Sequence, residues 1–307
     1  MDFSVRTGGP ADRSAVVSLC RETLLAEDTA DSDGLSRLLW EAHDGRDELR
    51  LLAHVGGRLV GAGFATLAPR HDQVVLGSVA MIAVQSAARR SGVARVLLAQ
   101  LEARLGEAGA TEIWTGGGQP QYWWPGIDVR YDAALQLFER MGYLRVEEVA
   151  NMTVSLSARV ISGPLPDGVE IRRLTAAEAP DFHRWMQMAW YPEWAREVQM
   201  ALVRDPISCF VAREGGDYLA FAAYDTNRLG WFGPMGTLEA ARGRGLGATL
   251  LRCCLRDYLD RGETECQVAW AGPQDFYRNA VGAEASNTFV LMRKAIGSQV
   301  RSASARE

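Results

Sequence analysis

The chain has 307 residues, a formal net charge of −5 and a hydrophobic fraction of 48%. This length suits two domains of about 150 residues, and the negative net charge argues against nucleic acid as a partner. Because no apolar run approaches the roughly 20 residues of a membrane-spanning helix, and because the N-terminus lacks a basic segment followed by an apolar one, we expect a cytoplasmic protein without a membrane partner.

The first half begins with a short predicted strand at residues 3–6, followed by a helix that Asp12 caps. Two apolar strands at residues 49–55 and 59–67 are separated by Gly56-Gly57, a pair typical of a β-hairpin. The remaining elements predicted for this half are helices at 12–25, 35–40 and 133–141 and strands at 74–83, 112–115 and 151–156.

A glycine turn follows the apolar strand at 74–83 and leads into the helical run at 96–101. Beyond Ala83 and Val84, the turn reads Arg89-Arg90-Ser91-Gly92-Val93-Ala94. The first N–H groups of a helix have no partner within the helix, and the helix dipole favours negative charge there. The turn is therefore a candidate site for a phosphate group.

A long loop at residues 116–128 carries three adjacent aromatic side chains, Tyr122, Trp123 and Trp124. Aromatic side chains on a long loop are typical of ligand contact, which predicts an acceptor pocket in the first half. Packing between the two domains is the structural alternative.

The boundary between the halves is predicted after residue 158. Two prolines and two glycines fall between Ser162 and Gly168, a composition typical of a linker. We predict an N-terminal domain at 1–158, a linker at 159–168, a C-terminal domain at 169–297 and a disordered tail at 298–307.

The pattern restarts in the second half, where residues 169–172 repeat the short first strand and Thr175-Ala-Ala-Glu178 resembles a capping box. Three aromatic residues, Trp190, Tyr191 and Trp194, crowd the region after the next helix, where Pro192 is expected to break helical structure. The other elements predicted here are helices up to residue 189, at 195–203 and at 276–281, and strands at 209–213, 218–224, 266–270 and 289–292.

A second strand, glycine turn and helix occupy residues 231–251. The strand ends at Met235, Gly236, Thr237 and Leu238, and the turn then reads Arg242-Gly243-Arg244-Gly245-Leu246-Gly247. Its glycine spacing fits neither a Walker P-loop nor a Rossmann fingerprint. Two such arrangements in one chain indicate an internal repeat.

Both turns resemble the R/Q-x-x-G-x-G/A signature of the GCN5-related N-acetyltransferase (GNAT) superfamily. The matching residues are Arg242-x-x-Gly245-x-Gly247 in the second half and Arg89-x-x-Gly92-x-Ala94 in the first. The resemblance implies a tandem α/β protein (α+β by some schemes) made of two GNAT folds, each a mixed, mostly antiparallel sheet flanked by helices.

The resemblance also implies that acetyl-CoA is the acyl donor and lies along a strand and its glycine turn. The binding residues implied are Met235, Gly236, Thr237, Leu238, Arg242, Gly243, Arg244, Gly245, Leu246 and Gly247, and in the first half Ala83, Val84, Arg89, Arg90, Ser91, Gly92, Val93 and Ala94. The amide of Thr237, or of Val84 in the first half, is expected to polarise the thioester carbonyl.

A tyrosine on the short helix after the next strand protonates the leaving thiolate in this family. The second half has Tyr277 at this position, whereas the first half has Phe138. Because a phenyl ring cannot donate a proton, we expect the C-terminal half to be the active one. The alternative is that Tyr277 is a core aromatic whose hydroxyl merely finds a partner.

The activity implied is transfer of an acetyl group to a primary amine of a small molecule or peptide by direct attack. The aromatic residues after the first helix of the second half either wall the acceptor site or fill the core. Glu193, Asp225 and Glu239 are candidates for the general base, and the sequence does not choose among them.

Two other functions stay open at this point. In one, the N-terminal domain is the active acetyltransferase and the loop at 122–128 binds the acceptor. In the other, both halves have lost activity and the protein is a non-catalytic acyl-CoA-binding or sensor protein. The sequence predicts neither the acceptor nor the oligomeric state.

Neither a metal site nor a disulfide framework is expected. The four histidines are scattered without metal-ligand spacing. The five cysteines, Cys20, Cys209, Cys253, Cys254 and Cys266, contain no C-x-x-C pair. We therefore expect them to be buried or inert thiols in a reducing cytoplasm.

Overall fold

A computed structural model of the chain describes residues 2–41, 46–69, 74–117, 121–158 and 168–296. Within these ranges it is a mixed α/β protein with mostly antiparallel strands flanked by helices, which confirms the predicted fold class. The predicted tail at 298–307, and the predicted linker apart from Gly168, lie outside the described residues.

The helices and strands follow one another in two similar series along the chain. The helices are α1 (Arg13–Thr23), α2 (Ser32–Glu41), α3 (Val93–Glu107), α4 (Asp132–Arg140), α5 (Ala179–Ala189), α6 (Pro192–Leu202), α7 (Leu246–Asp260) and α8 (Gln274–Val281). The strands are β1 (Ser4–Thr7), β2 (Arg50–Val55), β3 (Arg58–Pro69), β4 (Val75–Val84), β5 (Glu112–Thr115), β6 (Ile127–Asp128), β7 (Leu144–Ser155), β8 (Glu170–Arg173), β9 (Cys209–Glu214), β10 (Asp217–Tyr224), β11 (Trp231–Thr237), β12 (Glu265–Val268) and β13 (Glu284–Ala295).

The chain divides into two compact units, and neither is continuous in sequence. Unit 1 contains Met1–Gly118, Tyr131–Val146 and Met292–Glu307, and unit 2 contains Gln119–Arg130 and Glu147–Leu291. The domains predicted from the sequence repeat, at 1–158 and 169–297, are continuous segments, and their boundaries stay a prediction.

Unit 1 contains a sheet in the order β1-β2-β3-β4-β5, completed by the last residues of β13. Its pairs are antiparallel except for the parallel pair β4–β5. The hairpin predicted between β2 and β3 is confirmed, with Gly56 and Gly57 both at positive φ. Helix α3 packs on this sheet so closely that a Cβ atom at Gly61 would lie 2.7 Å from Val93.

Unit 2 contains a sheet in the order β7-β12-β11-β10-β9-β8, and here the parallel pair is β11–β12. Helix α7 packs on the sheet through a buried apolar face at helical spacing, which includes Leu246, Leu250 and Cys254. The short strand β6 also belongs to this unit, where it pairs with the Phe289–Val290 portion of β13.

Several predicted boundaries differ from the structure. Strands β7 and β13 begin seven and five residues before the predicted starts at 151 and 289, because Glu147-Glu148 and Ser286-Asn287-Thr288 interrupt the apolar pattern near their starts. Helix α6 begins at Pro192 rather than after it. Proline is favoured in the first turn of a helix, where no backbone donor is needed.

Four of the five cysteines are buried thiols, as expected from the sequence, and the fifth, Cys253, is partly buried. None of the helices in the described part of the chain is both long and apolar enough to cross a membrane.

Candidate active site

The parallel strands β11 and β12 part after only two paired positions. Trp231 pairs with Gln267 and Phe232 with Val268, and the Ala269 N–H then donates to the Phe232 carbonyl at 3.1 Å. Strand β11 continues to Thr237 beside β10. Within the described ranges, its other edge from Gly233 to Thr237 has no strand partner, so an extended ligand has backbone groups to pair with.

Two amides of β11 point to this unpaired edge. The Leu238 N–H donates to the Leu219 carbonyl of β10 at 2.9 Å, and donors alternate between the two edges of an antiparallel strand. The Met235 and Thr237 N–H groups therefore face the unpaired edge. This is the orientation needed for the role predicted for the Thr237 amide.

The glycine turn follows directly at the end of β11. Gly243 and Gly245 have φ values of 79° and 78°, and no atom lies within 4 Å of a Cβ atom built on either residue. Left-handed backbone of this kind favours glycine. Gly245 is the N-cap of α7, so the unpaired N–H groups of the first helical turn border open space, as an anion site requires.

The two arginines of this turn differ in their partners. Arg244 pairs with Glu214 at 2.6 Å, whereas the exposed side chain of Arg242 has no hydrogen bond or ion pair among the described residues. Arg242 is thus the arginine of this turn that is free to bind a phosphate.

Gly247 and Gly236 permit close packing against β11. A Cβ atom at Gly247 would lie 3.1 Å from the Met235 side chain, and one at Gly236 would lie 2.5 Å from the Trp190 ring. Helix α7 and Trp190 therefore both sit directly on the strand that carries the outward-facing amides.

The predicted acceptor residues of unit 2 include one exposed ring and two packed ones. Tyr191 is 60% exposed. Trp190 and Trp194 stack at 5.6 Å, and both contact Phe221 of the core, at 5.5 and 6.2 Å. The Trp190 indole N–H is enclosed without a hydrogen-bond partner in the described structure, an arrangement that a polar ligand group would satisfy.

Tyr277 lies on α8, and its ring is 6.3 Å from that of Phe232, the last paired residue of β11. The side chain is buried, and its hydroxyl forms no hydrogen bond within the described part of the chain. Burial raises the pKa of Tyr277 to about 12. The hydroxyl therefore keeps its proton at neutral pH and is available as a donor where the strands part.

The aromatic loop of the first half belongs to unit 2. The Tyr122 N–H donates to Asn227 Oδ1 at 3.1 Å, and the Tyr122 ring is 5.5 Å from Trp270 and 6.4 Å from Trp231. The pKa of Tyr122 is raised well above its ordinary value by burial and by the nearby Glu197 and Tyr277. Tyr122 is thus within electrostatic reach of Glu197 and Tyr277, which the sequence did not predict.

The other two loop aromatics are buried. The Arg228 guanidinium lies 4.7 Å from the centre of the Trp123 ring. Trp124 is 8% exposed, and its indole N–H has no hydrogen-bond partner in the described structure. Both residues are therefore packed against protein, unlike the exposed Tyr191.

Glu197 of α6 is a further carboxylate of this region that the sequence patterns did not indicate as a functional residue. Its side chain is buried, and Oε1 accepts a hydrogen bond from Asn227 Nδ2 at 2.5 Å and lies 3.3 Å from Thr226 Oγ1. Burial raises the pKa of Glu197 to about 7. The available signal was helical spacing, because Glu197 lies four residues before the buried Ala201 and therefore on the same face.

The three predicted base candidates occupy different surroundings. Asp225 is buried and accepts hydrogen bonds from the Tyr258 hydroxyl at 2.8 Å and from Arg261 at 2.9 Å. Glu239 is exposed. Glu193 lies one turn before Glu197 on α6, and both of its carboxylate oxygens are enclosed without a hydrogen bond in the described structure.

Unit 1 repeats the backbone of this site. Strands β4 and β5 pair as far as Val79 and Thr115, β4 continues to Val84, and α3 begins after Gly92 at φ 92°. The corresponding residues of unit 2 are each 153 positions later. The Gln85 N–H donates to the Val60 carbonyl at 2.9 Å, so the Val84 amide also faces the unpaired edge.

The side chains at the glycine turn of unit 1 form other contacts than those at the turn of unit 2. Arg89 donates to the Val84 carbonyl at 3.2 Å, and the Ser91 hydroxyl donates to the Ala88 carbonyl at 2.7 Å. Arg90 occupies left-handed backbone, at φ 61°. Phe138 is buried edge-to-face against Tyr143 at 4.9 Å.

No group of three or more metal-ligating side chains is placed to hold an ion in the described ranges.

Each half of the chain matches a model of a known protein family. A model of the acetyltransferase (GNAT) domain matches residues 46–145, and a model of the acetyltransferase (GNAT) family matches residues 171–282. The chain belongs to the GNAT family. With one match in each half, it is a tandem member, as its two glycine turns predict.

Solved structures of GNAT proteins share this fold at low sequence identity. A GCN5-related N-acetyltransferase from Sphaerobacter thermophilus is 21% identical, with a TM-score of 0.67 over 95% of each chain. A tandem GNAT protein from the clavulanic acid biosynthesis pathway is 16% identical, with a TM-score of 0.68 over 96% of this chain and 99% of that one.

A fungal multi-domain β-N-acetylglucosaminidase contains a region described as a GCN5-related glucosamine N-acetyltransferase. It is 19% identical with a TM-score of 0.79, and the match covers 95% of this chain but 38% of that one. A search of curated proteins found no match.

Proposed function

We propose that this tandem GNAT protein transfers an acetyl group from acetyl-CoA to a primary amine of a small molecule or peptide, and that unit 2 carries the reaction. The observation behind this proposal is the buried Tyr277 hydroxyl, which is protonated and free of hydrogen bonds to described residues beside the end of the β11–β12 pairing.

The donor fits unit 2 along β11 and its turn. The α7 N-terminus and Arg242 hold the pyrophosphate, and the unpaired edge from Thr237 to Gly233 pairs with the pantetheine arm. Acetyl-CoA supplies an activated thioester. Successive residues of a strand are about 3.3 Å apart, so the outward Met235 amide, nearer than Thr237 to the Tyr277 end, polarises the thioester carbonyl. The Thr237 amide, which was predicted to polarise the carbonyl, pairs with the pantetheine arm instead.

The side chains of unit 2 divide the proton transfers between them. Tyr277 donates its proton to the sulfur as the thiolate leaves, and its raised pKa keeps it protonated until that step. Trp190, Trp194 and Tyr122 enclose the acceptor side of the strand, and Tyr191 lies at its exposed margin. Exclusion of water strengthens the hydrogen bonds to developing charge.

Unit 1 has the same open strand edge but no hydroxyl at the acid position, since Phe138 occupies it. We therefore assign unit 1 binding of acyl-CoA without turnover. This assignment separates the proposal from its alternatives, in which unit 1 is the active half or neither half is.

The first test is acetyl-CoA stoichiometry by native mass spectrometry on the wild type, Gly245→Asp and Gly92→Asp. Aspartate tolerates left-handed backbone better than most residues, so the fold should survive, while its carboxylate repels the pyrophosphate. Gly245→Asn and Gly92→Asn, similar in shape but uncharged, are the matched controls.

Thiol release from acetyl-CoA is then measured with a panel of primary amines that includes amino sugars, because one similar structure is named as a glucosamine N-acetyltransferase. We expect turnover to be lost in Gly245→Asp and kept in Gly92→Asp. Turnover lost only in Gly92→Asp would assign the reaction to unit 1. A wild type that binds acetyl-CoA but releases no thiol with any amine of the panel would favour a sensor.

A further inference from the structure

We propose that Glu197 is the general base of the reaction, and that the acceptor amine binds in unit 2 where Glu197, Tyr122 and Tyr277 converge. This inference rests on the proposed acetyl transfer by unit 2. It names a residue that none of the sequence motifs contains.

One hydroxyl connects Glu197 to the open strand. Thr226 Oγ1 lies 3.3 Å from Glu197 Oε1 and donates at 2.8 Å to the Gly233 carbonyl. Gly233 is the first residue of β11 beyond its pairing with β12. The carboxylate is thereby held at the end of the open edge where Tyr277 packs on Phe232, which is the end assigned to the thioester.

Asn227 fixes the orientation of the carboxylate. Its Nδ2 donates to Glu197 Oε1 at 2.5 Å, while its Oδ1 accepts the Tyr122 N–H at 3.1 Å. The contacts of Glu197 with Asn227 Nδ2 and Thr226 Oγ1 both fall on Oε1, and in the described structure Oε2 forms no hydrogen bond. One oxygen therefore orients the carboxylate, and the other is available for a proton.

The other carboxylates of this region are less suited to the role. Asp225 uses both oxygens in hydrogen bonds, to Tyr258 and Gly230 through one and to Arg261 through the other. Glu239 is exposed at the turn that follows β11. Glu193 faces Arg196 at 4.0 Å on its own helix.

The electrostatic surroundings of Glu197 match the task. Tyr122 from the loop interacts electrostatically with both Glu197 and Tyr277 of α8, and Glu193 lies one turn before Glu197 on α6. Burial is the largest cause of its raised pKa of about 7, which the hydrogen bond from Asn227 and the nearby Thr226 hydroxyl oppose. A base that titrates near the working pH is partly ionised and still accepts a proton well.

The protons balance as follows. Glu197 takes one proton from the substrate ammonium and later releases it to solvent. The neutral amine attacks the carbonyl carbon, so a C–N bond forms and the C–S bond breaks, with its electron pair leaving on sulfur. Tyr277 gives sulfur a proton and recovers the one that nitrogen loses as the amide forms. The net products are amide, free thiol and one proton.

The test is the pH profile of kcat/KM for the full chain, measured by thiol release with the best amine of the panel. Wild type should rise through an apparent pKa near 7. Glu197→Gln keeps the size and the oxygen acceptor, so the fold and acetyl-CoA binding should persist. Its kcat/KM should fall by about 100-fold or more, and the inflection should disappear. Glu197→Asp should retain a shifted inflection and part of the activity.

Glu102→Gln is the matched control, because Glu102 is a largely buried carboxylate of unit 1 that pairs with Lys294 at 2.7 Å. It should keep the wild-type profile. An unchanged inflection in Glu197→Gln, with normal acetyl-CoA binding, would overturn the assignment of the base while leaving the acetyl transfer intact. A wild type that binds acetyl-CoA but releases no thiol with any amine would overturn the transfer itself and the base with it.

Discussion

Units 1 and 2 share one backbone plan at their glycine turns but carry different side chains around it. The parting strands, the outward amides of Val84 and Thr237, and the left-handed N-caps Gly92 and Gly245 correspond at a constant spacing of 153 residues. The side chains around this frame differ, since Tyr277 is assigned the position that Phe138 has in unit 1. In the proposed function, the signature motif specifies where acyl-CoA lies, and residues outside it determine whether a reaction follows.

The two units also differ at the residue that follows the separation of their parallel strands. Gly117 and Trp270 correspond at the same spacing and have similar left-handed backbone, with φ values of 59° and 46°. Glycine adopts this conformation freely, whereas a bulky residue there is strained by on the order of 1–3 kcal/mol. The Trp270 N–H is held by Asn151 Oδ1 at 2.9 Å, and its ring lies 5.5 Å from Tyr122. Unit 2 thus maintains a strained aromatic residue beside the proposed acceptor site, and unit 1 does not.

The largest effect should come from exchanging the acid position between the units. Tyr277→Phe removes the proposed proton donor and keeps the buried ring, so kcat should fall by about 10²-fold or more while acetyl-CoA binding is unchanged. Phe138→Tyr is the reciprocal variant, and it should not alter the turnover of unit 2. Thiol-release kinetics and native mass spectrometry measure the two quantities. Turnover that survives in Tyr277→Phe would leave Tyr277 as a core residue.

The fold was predictable because its signals are local. Apolar periodicity marks α3 and α7, Gly56-Gly57 marks a hairpin, and glycines mark the turns. Each of these features depends on residues close together in sequence.

The surroundings of Tyr277 were not predictable, because they depend on contacts distant in sequence. Tyr122 reaches Asn227 across 105 residues, and the last four residues of β7 pair with β12, more than 100 positions later in the chain. Glu197 looks like an ordinary surface carboxylate in sequence, and only the packing of α6 buries it. Patterns within a segment do not specify which residues of another segment will cover it.

An intermediate effect is expected on the pH dependence of stability. Burial raises the pKa of Glu197 from its ordinary 4.5 to about 7 in the folded protein. Below pH 4.5 the carboxyl is protonated in both states. Between pH 4.5 and 7 the unfolded chain ionises first, so unfolding releases a proton and stability falls as pH rises. Above pH 7 the full cost is present, about 3 kcal/mol at 1.36 kcal/mol per pKa unit.

Glu197→Gln cannot ionise, so this decline should be absent from its unfolding free energy. Urea unfolding at pH 4.5 and 8 should show the variant gaining stability relative to wild type by up to about 3 kcal/mol at the higher pH. Glu102→Gln, the control in unit 1, should retain the wild-type decline because Glu197 is intact. Parallel curves for wild type and Glu197→Gln would mean that Glu197 is not held in a desolvated site.

The smallest effect concerns the arginines of the two turns. Arg242 has no ion pair or hydrogen bond in the described structure, Arg244 is held by Glu214 at 2.6 Å, and Arg89 donates to the Val84 carbonyl. A charge-assisted hydrogen bond is worth about 1.5–3 kcal/mol, so Arg242→Gln should weaken acetyl-CoA binding to unit 2 roughly tenfold or more. Arg244→Gln should weaken it less, because that side chain already has a carboxylate partner. Titration calorimetry in the Gly92→Asp background isolates unit 2. Equal losses in both variants would show that Arg244 leaves Glu214 to join the phosphate, and that the two turns differ less than their unliganded contacts indicate.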